Sequence, residues 1–379
     1  MKIANVIEEG RYGGPQRVIS VISERLKKFG FEQIIIFPIC DSDRFYKELN
    51  QQKIETRRIV LHRLTKEKKH LIKFVLLFIP EVVSLYKLFK KECIDVVYCN
   101  NSWQFKGVIA GKLAGKKVIW HLHETSTPFC VNIIFKFLAR NCVDAFITAG
   151  ERVRDYYLSG QRLSGKPILE IQAPVGILVF NPEKVKKDQK IADYPGLKII
   201  TVGNVNPVKG LEYFVEMASI LNQRYDNLSF FVVGPHFDSQ RVYLDKILGL
   251  KEQYGLKNLH FYGLSENIPS VLKAADIYVC PSIAEASPIS VWEAMSMEKA
   301  IVSTDVGDVA RFIKDGESGF VVPIKNASAM AEKVSLLVKN ADLRRKVGVN
   351  ARKIAIKNLD VNICVKKHAD FYRKIMNEL

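Results

Sequence analysis

Lys209, Glu285 and Glu293 are the residues whose types and spacing point to chemistry in this sequence. Lys209 closes the block Thr201-Val202-Gly203-Asn204-Val205-Asn206-Pro207-Val208-Lys209-Gly210, which reads as a strand, a loop and a helix start. A helix N-terminus is partly positive and its free N–H groups point outward. A lysine there adds a fixed charge, so the block makes a place for a diphosphate. Glu285 lies on a later strand-to-helix turn, Pro281-Ser282-Ile283-Ala284-Glu285-Ala286-Ser287-Pro288-Ile289-Ser290. Ser287 reads as the N-cap of the helix that follows, with Pro288 at its first position. Glu293 sits inside that helix among Val291, Trp292, Ala294 and Met295. A buried, unpaired carboxylate is costly, so Glu293 requires partners. Sugar hydroxyls would serve; so would a nearby Lys or Arg.

Other candidates carry less. Gly13-Gly14, after the first apolar run, allows close backbone approach to a phosphate, and equally makes a plain tight turn. Neither GxGxxG nor GxxxxGK[ST] occurs, which removes the dinucleotide fingerprint and the P-loop. His121-Leu122-His123-Glu124 ends a strand-like run. Two metal ligands in that arrangement need a third, and none is evident, so no metal site is expected. Asp41-Ser42-Asp43 reads as a polar loop, far in sequence from Lys209 and Glu285.

These residues fall between short, nearly continuous apolar runs. The runs are 3–7, 33–38, 58–61, 95–99, 117–122, 145–148 and 168–172, then 197–202, 228–233, 259–262, 276–280 and 300–303. Buried parallel strands read that way. Amphipathic stretches separate them, and 327–339, 343–357 and 361–377 look helical throughout. The alternation is the α/β signature, and the length calls for two domains. A charged stretch bracketed by prolines, 181–196, reads as the linker. The expected division is 1–180, linker 181–196, 197–357, and a final helix over 358–379. Ligands of such sheets bind at the carboxyl ends of the strands.

The net charge of the 379 residues is +17, and it is uneven. Residues 1–190 carry +14, residues 191–332 carry −5, and residues 333–379 carry +8. Such asymmetry points to an anionic partner. No nucleic-acid motif accompanies it, so nucleic acid is set aside. Residues 66–91 mix Lys with Phe, Leu, Ile and Val, a pattern suited to an anionic membrane surface. The same residues also read as an ordinary helix pair broken at Pro80. No apolar stretch is long enough to span a bilayer, and residues 3–7 are too short for a secretory signal. Seven irregularly spaced cysteines without a CxxC indicate reduced thiols and a cytosolic setting.

Taken together, the sequence resembles a family 4 glycosyltransferase of GT-B fold. Three features carry the resemblance: Gly13-Gly14, the block Gly203 to Gly210 with its Lys209, and the E-x7-E pair Glu285/Glu293. Val233-Gly234-Pro235, Ala274-Ala275-Asp276 and Asp315-Gly316-Glu317-Ser318-Gly319-Phe320 are lesser matches in the same order. The likeness spans nearly the whole chain and is strongest over 197–325.

The resemblance implies two Rossmann-like domains facing a cleft, with the C-terminal helix crossing back to the first. It implies transfer of a sugar, with retained configuration, from a nucleotide-diphosphate sugar to a saccharide or lipid-linked acceptor. Glu293 would bind the ribose, Glu285 would face the donor sugar, and Lys209 would neutralise the leaving diphosphate. Backbone near Ser287, Pro288, Ile289 and Ser290 would approach the phosphates or the sugar. Leu264-Ser265 would line the base slot, and His123 would contact the donor sugar. No metal or other cofactor is implied, because Lys209 and a helix end replace the cation. The basic first half and tail would bind the inner face of the cell membrane peripherally. Two departures stand out: Asn204 replaces a usual Arg, and Ala286 replaces a common Gly. An amide does not replace a bidentate guanidinium. Two other readings stay open, a GT-B nucleotide-sugar epimerase and a non-catalytic nucleotide-sugar binder.

Overall fold

A computed structural model describes residues 1–64, 68–125, 127–160, 163 and 165–377. The chain divides into two compact units, Met1–Gln172 with Asn362–Leu379, and Ala173–Val361. Each is a doubly wound α/β unit.

The first unit holds β1 (Lys2–Ile7), β2 (Glu32–Pro38), β3 (Glu55–Ile59), β4 (Val96–Asn100), β5 (Lys117–Leu122), β6 (Ala145–Thr148) and β7 (Ile168–Glu170). Their order is 3-2-1-4-5-6-7, and every neighbouring pair is parallel. The chain reverses its direction of travel across the sheet between β1 and β4, where Ile7 lies opposite Asn100. The central strands are wholly buried, which is why their sequences read as unbroken apolar runs. β3 departs from the expected 58–61. The strand is Glu-Thr-Arg-Arg-Ile, at the sheet edge, where one side has no strand partner and charged residues are tolerated. The apolar run that drew the reading onward leaves the sheet, with Val60 exposed.

Two helices follow β3, Lys68–Leu76 and Phe78–Lys91. Lys66 and Glu67 of the expected basic segment lie outside the described residues. The break falls at Leu77 rather than at Pro80, which sits in the first turn of the second helix. A proline is tolerated there because its missing N–H has no helical partner to lose. Glu81, next along, is buried and pairs with Lys106 Nζ at 2.5 Å and with His62 Nδ1 at 2.5 Å. Lys106 belongs to the helix Phe105–Leu113, so this buried pair joins two helices of the unit.

The last helix, Val361–Asn377, belongs to the first unit from Asn362 onward. It buries His368 and Tyr372, and Tyr372 meets Phe31 edge-on at 5.5 Å and Tyr98 at 6.3 Å.

The second unit holds β8 (Leu197–Val202), β9 (Leu228–Val233), β10 (Leu259–Gly263), β11 (Ile277–Cys280), β12 (Ala300–Thr304) and β13 (Phe320–Val322). Their order is 10-9-8-11-12-13, again all parallel. β13 has three residues, too few to give a strand signal against the turn residues before it. The stretch read as a linker, 181–196, lies within this unit, with Ile191 fully buried beside Phe180 in its core.

Candidate active site

In the second unit the switch point lies between β8 and β11, which pair directly. Loops leaving the carboxyl ends of two such strands converge. The loop after β8 carries Gly203, Asn204 and Lys209; the loop after β11 carries Ser282 and Glu285. The two are zipped by a backbone bond from Ile283 N to Val208 O at 2.9 Å. Gly210 has φ of 59°, and a Cβ there would stand 2.2 Å from the Pro281 carbonyl oxygen. Only glycine fits both the left-handed turn and that approach.

This approach brings Lys209 Nζ onto Glu285 Oε1, where it donates a hydrogen bond within an ion pair. Ser282 Oγ donates to the same oxygen at 3.0 Å. Burial alone would lower the Lys209 pKa, but the charge and hydrogen bond of Glu285 raise it above the usual lysine value. Lys209 is therefore held cationic. It sits at the end of a short 3-10 turn, Pro207–Lys209, and not in the α-helix, which begins at Leu211. Its side chain stays 24% exposed, so a ligand can reach it.

Glu293 lies in the helix Ile289–Ser296 and is 4% exposed, between buried Val291, Trp292 and Met295. The capping arrangement differs from expectation. Pro288 is the N-cap residue, and among the described residues no side chain caps the helix. Ser287 Oγ instead accepts from the Trp292 indole N–H at 3.0 Å and from Ala173 N at 2.8 Å. A strong indole donor and a loop amide take the hydroxyl that an exposed cap would have used. The first amides of this helix are thus free of a side-chain cap. Ser290 accepts from Tyr278 OH at 2.8 Å, which anchors the first turn to β11.

Asn204 Oδ1 accepts from Asn206 Nδ2 at 2.9 Å, so it shapes its own loop. Ala286 has no left-handed backbone, and a glycine is not required there. Leu264 and Ser265 follow β10, two strands from β8 at the same end of the sheet. Leu264 is 55% exposed, and Ser265 Oγ accepts from Asn267 N at 3.2 Å.

The first unit places His123 at the carboxyl end of β5, beside Asn100 of β4. His123 Nε2 donates to Asn100 Oδ1 at 3.0 Å, and Ser102 Oγ accepts the His123 N–H at 2.9 Å. Burial lowers the His123 pKa to about 4, so the ring is neutral. The ring of His121 lies 3.9 Å away and bonds Tyr98 OH through Nδ1. Glu124, with φ of 29°, is raised to about 6 by burial. Gly13 is the extended N-cap of the helix Gly14–Leu26, and a Cβ on it would meet Gln16 Oε1 at 3.5 Å and Pro15 Cδ at 4.0 Å, both ordinary contacts. The neighbouring protein atoms thus place no steric demand on Gly13. The expected polar loop is in part a helix start: Asp43 opens the helix Asp43–Gln51 and pairs with Arg58 at 2.6 Å, and Ser42, the N-cap residue, is buried.

Sequence reasoning singled out Lys209 and Glu285 but not Ser282, whose bond to Glu285 completes the pair. Its place three residues before Glu285 on the same turn was the available signal. It also passed over Glu8, which directly follows β1 and is buried.

Comparison with known proteins agrees with this fold. The family description "Glycosyltransferase Family 4" matches residues 12–174, and "Glycosyl transferases group 1" matches residues 183–354. Between them the two matches take in most of the chain, which belongs to the family 4 glycosyltransferases, with the GT-B fold. It is 26% identical to the UDP-Gal:alpha-D-GlcNAc-diphosphoundecaprenol alpha-1,3-galactosyltransferase of Escherichia coli, over 77% of this chain and 78% of that one. It is 29% identical to the alpha-D-kanosaminyltransferase of Streptomyces kanamyceticus, over 47% of this chain and only 45% of that one. In fold it matches Anabaena Alr3699/HepE, solved in complex with UDP, with a TM-score of 0.83, 17% identity, and 99% and 100% of the two chains covered.

Proposed function

We propose that this protein is a retaining, metal-independent glycosyltransferase that moves a sugar from a nucleotide-diphosphate sugar to a hydroxyl of a saccharide or lipid-linked acceptor. The observation that carries this reading is the Lys209–Glu285 pair at the switch point of the second unit, beside an uncapped helix start. The second unit takes the donor. An ammonium has three donors. Lys209 can therefore keep Glu285 and still bond a phosphate oxygen. As the bond from the anomeric carbon to the diphosphate breaks and the bond to the acceptor oxygen forms, charge grows on the diphosphate. A preorganised cation and free helix amides stabilise it most at that moment. Glu293 accepts from the ribose hydroxyls, Glu285 faces the donor sugar, and Leu264 with Ser265 flanks the base. The neutral His123 ring, in the first unit, is suited to bonding a sugar hydroxyl. Asn204 supplies no second cation, so Lys209 carries more of the charge here than where an arginine stands beside it.

The first unit takes the acceptor, and the role is assembly of a cell-surface polysaccharide or glycolipid at the cytoplasmic face of the membrane. Its helices support this. Leu71, Ile72, Val75, Leu76 and Ile79 are exposed on the two helices after β3, and Ile133, Ile134 and Phe137 on the helix Phe129–Asn141. Lysines flank both groups. Among the described residues, no helix is long and apolar enough to cross a membrane.

The test is nucleotide release from a panel of UDP- and GDP-sugars, with wild type and Glu285→Ala. Release by the wild type that drops in the variant supports the reading. Equal release by both removes Glu285 from the mechanism.

A further inference from the structure

Glu8 follows the last residue of β1, next to the point where Ile7 lies opposite Asn100 on β4. It is 8% exposed, and its Oε1 has no hydrogen-bond partner among the described residues. A buried polar atom left unbonded is costly, and such groups are rare unless a ligand or water completes them. Its neighbours explain its state. Burial acts first and Lys106 opposes it, while Glu124 adds to it; Arg63 opposes more weakly and Glu81 again adds. The result is a carboxyl raised to about 8. Cys99, from β4, also feels it and is itself held as a thiol. Lys106 does not hold Glu8 as an anion, because its ammonium is bonded to Glu81 and to the His62 carbonyl.

The carboxyl ends of β1, β4 and β5 therefore present uncharged polar groups: the Glu8 carboxyl, the neutral His123 ring, and the Asn100 amide. A carboxylic acid offers one O–H donor and further acceptor sites on the same group. That suits a hydroxyl, which also both donates and accepts. A phosphate or a cation would meet no matching charge on Glu8.

We propose that Glu8 is a specificity-determining contact for a neutral, hydroxyl-bearing ligand of the saccharide class, bound at the carboxyl end of the first sheet. The inference rests on the reading that the first unit takes the acceptor.

The test uses the full chain and three probes, the n-octyl glycosides of glucose, galactose and N-acetylglucosamine, kept monomeric and titrated by calorimetry, with UDP titrated in parallel. At least one glycoside should bind wild type. Glu8→Leu should weaken that binding about tenfold, the scale of one hydrogen bond, and leave UDP binding unchanged. Glu8→Gln, which keeps a donor and an acceptor, should restore it to within about threefold. Wild-type binding should fall as pH rises through about 8, where Glu8 loses its proton, while Glu8→Gln stays flat. If Glu8→Leu does not fold, the pH comparison with Glu8→Gln decides. Equal binding by wild type and Glu8→Leu, equal pH profiles, or no glycoside binding while UDP binds, each overturns the assignment of Glu8. The donor reading stands or falls separately, on UDP binding and on nucleotide release.

Discussion

Lys209 and Glu285 stand 76 residues apart in sequence and meet as an ion pair because β8 and β11 are neighbours in the second sheet. The pair is asymmetric in its supports. Glu285 has Ser282 as a second donor, and Lys209 has two N–H bonds to spare. Lys209→Ala should slow sugar transfer by roughly 10²–10³-fold, the usual effect of losing one charge-stabilising group. Lys209→Arg should recover part of that loss. Steady-state rates with a saturating donor check it; an unaltered rate would place the diphosphate elsewhere.

Gly210→Ala should destabilise the protein by about 2 kcal/mol or more, through its left-handed backbone and the clash with Pro281. Gly203→Ala is the contrast. The three atoms nearest its Cβ would all belong to the Lys209 side chain, the closest Cε at 3.3 Å. It should leave stability nearly unchanged while moving Lys209 and slowing turnover. Urea midpoints and rates for both variants test the distinction, and equal midpoints would remove the steric argument.

His368, on the last helix, is buried and lowered to about 4 by burial. An unfolded histidine titrates near 6.5. Between these values the unfolded chain binds more protons, so this contribution is present above about pH 6.5 and is lost as pH falls toward 4. Its full size is about 3 kcal/mol at most, by the pKa difference. His123 acts in the same sense, while the raised Glu8 and Glu124 act in the opposite one. The clean quantity is therefore the difference between wild type and His368→Leu. The loss of stability from pH 7 to pH 5 should be smaller in the variant; identical losses would mean that His368 is not held neutral.

Binding to vesicles containing about one third anionic lipid should be measurable at low salt and weaken as salt screens the lysines. Leu76→Ser with Ile79→Ser, which leave the net charge at +17, should reduce it further. Vesicle co-sedimentation is the measurement. Binding insensitive to both salt and these substitutions would remove the membrane from the proposal.

Much of the fold was legible locally. Buried parallel strands write themselves as apolar runs, so β1, β2, β4, β5, β6 and the strands from β8 to β12 could be read off directly. β3 and β13 could not, because an edge strand tolerates charge and a three-residue strand has no period. Ser287 and Pro288 show the limit of cap reading. The residue types were right for a cap, but Trp292 and Ala173 took the hydroxyl, and these donors are chosen by packing.

The sequence by itself determined the residue types that the chemistry needs: a lysine after a glycine turn, two carboxylates with seven residues between them, and a histidine at a strand end. Those depend on local order, which a sequence carries. Only the tertiary structure decided that Lys209 is already paired with Glu285, that Ser282 supports the pair, and that Glu8 and His368 are buried and uncharged. Each of those depends on which strands and helices become neighbours. Charge states follow from burial and partners, and both are set by residues distant in the chain.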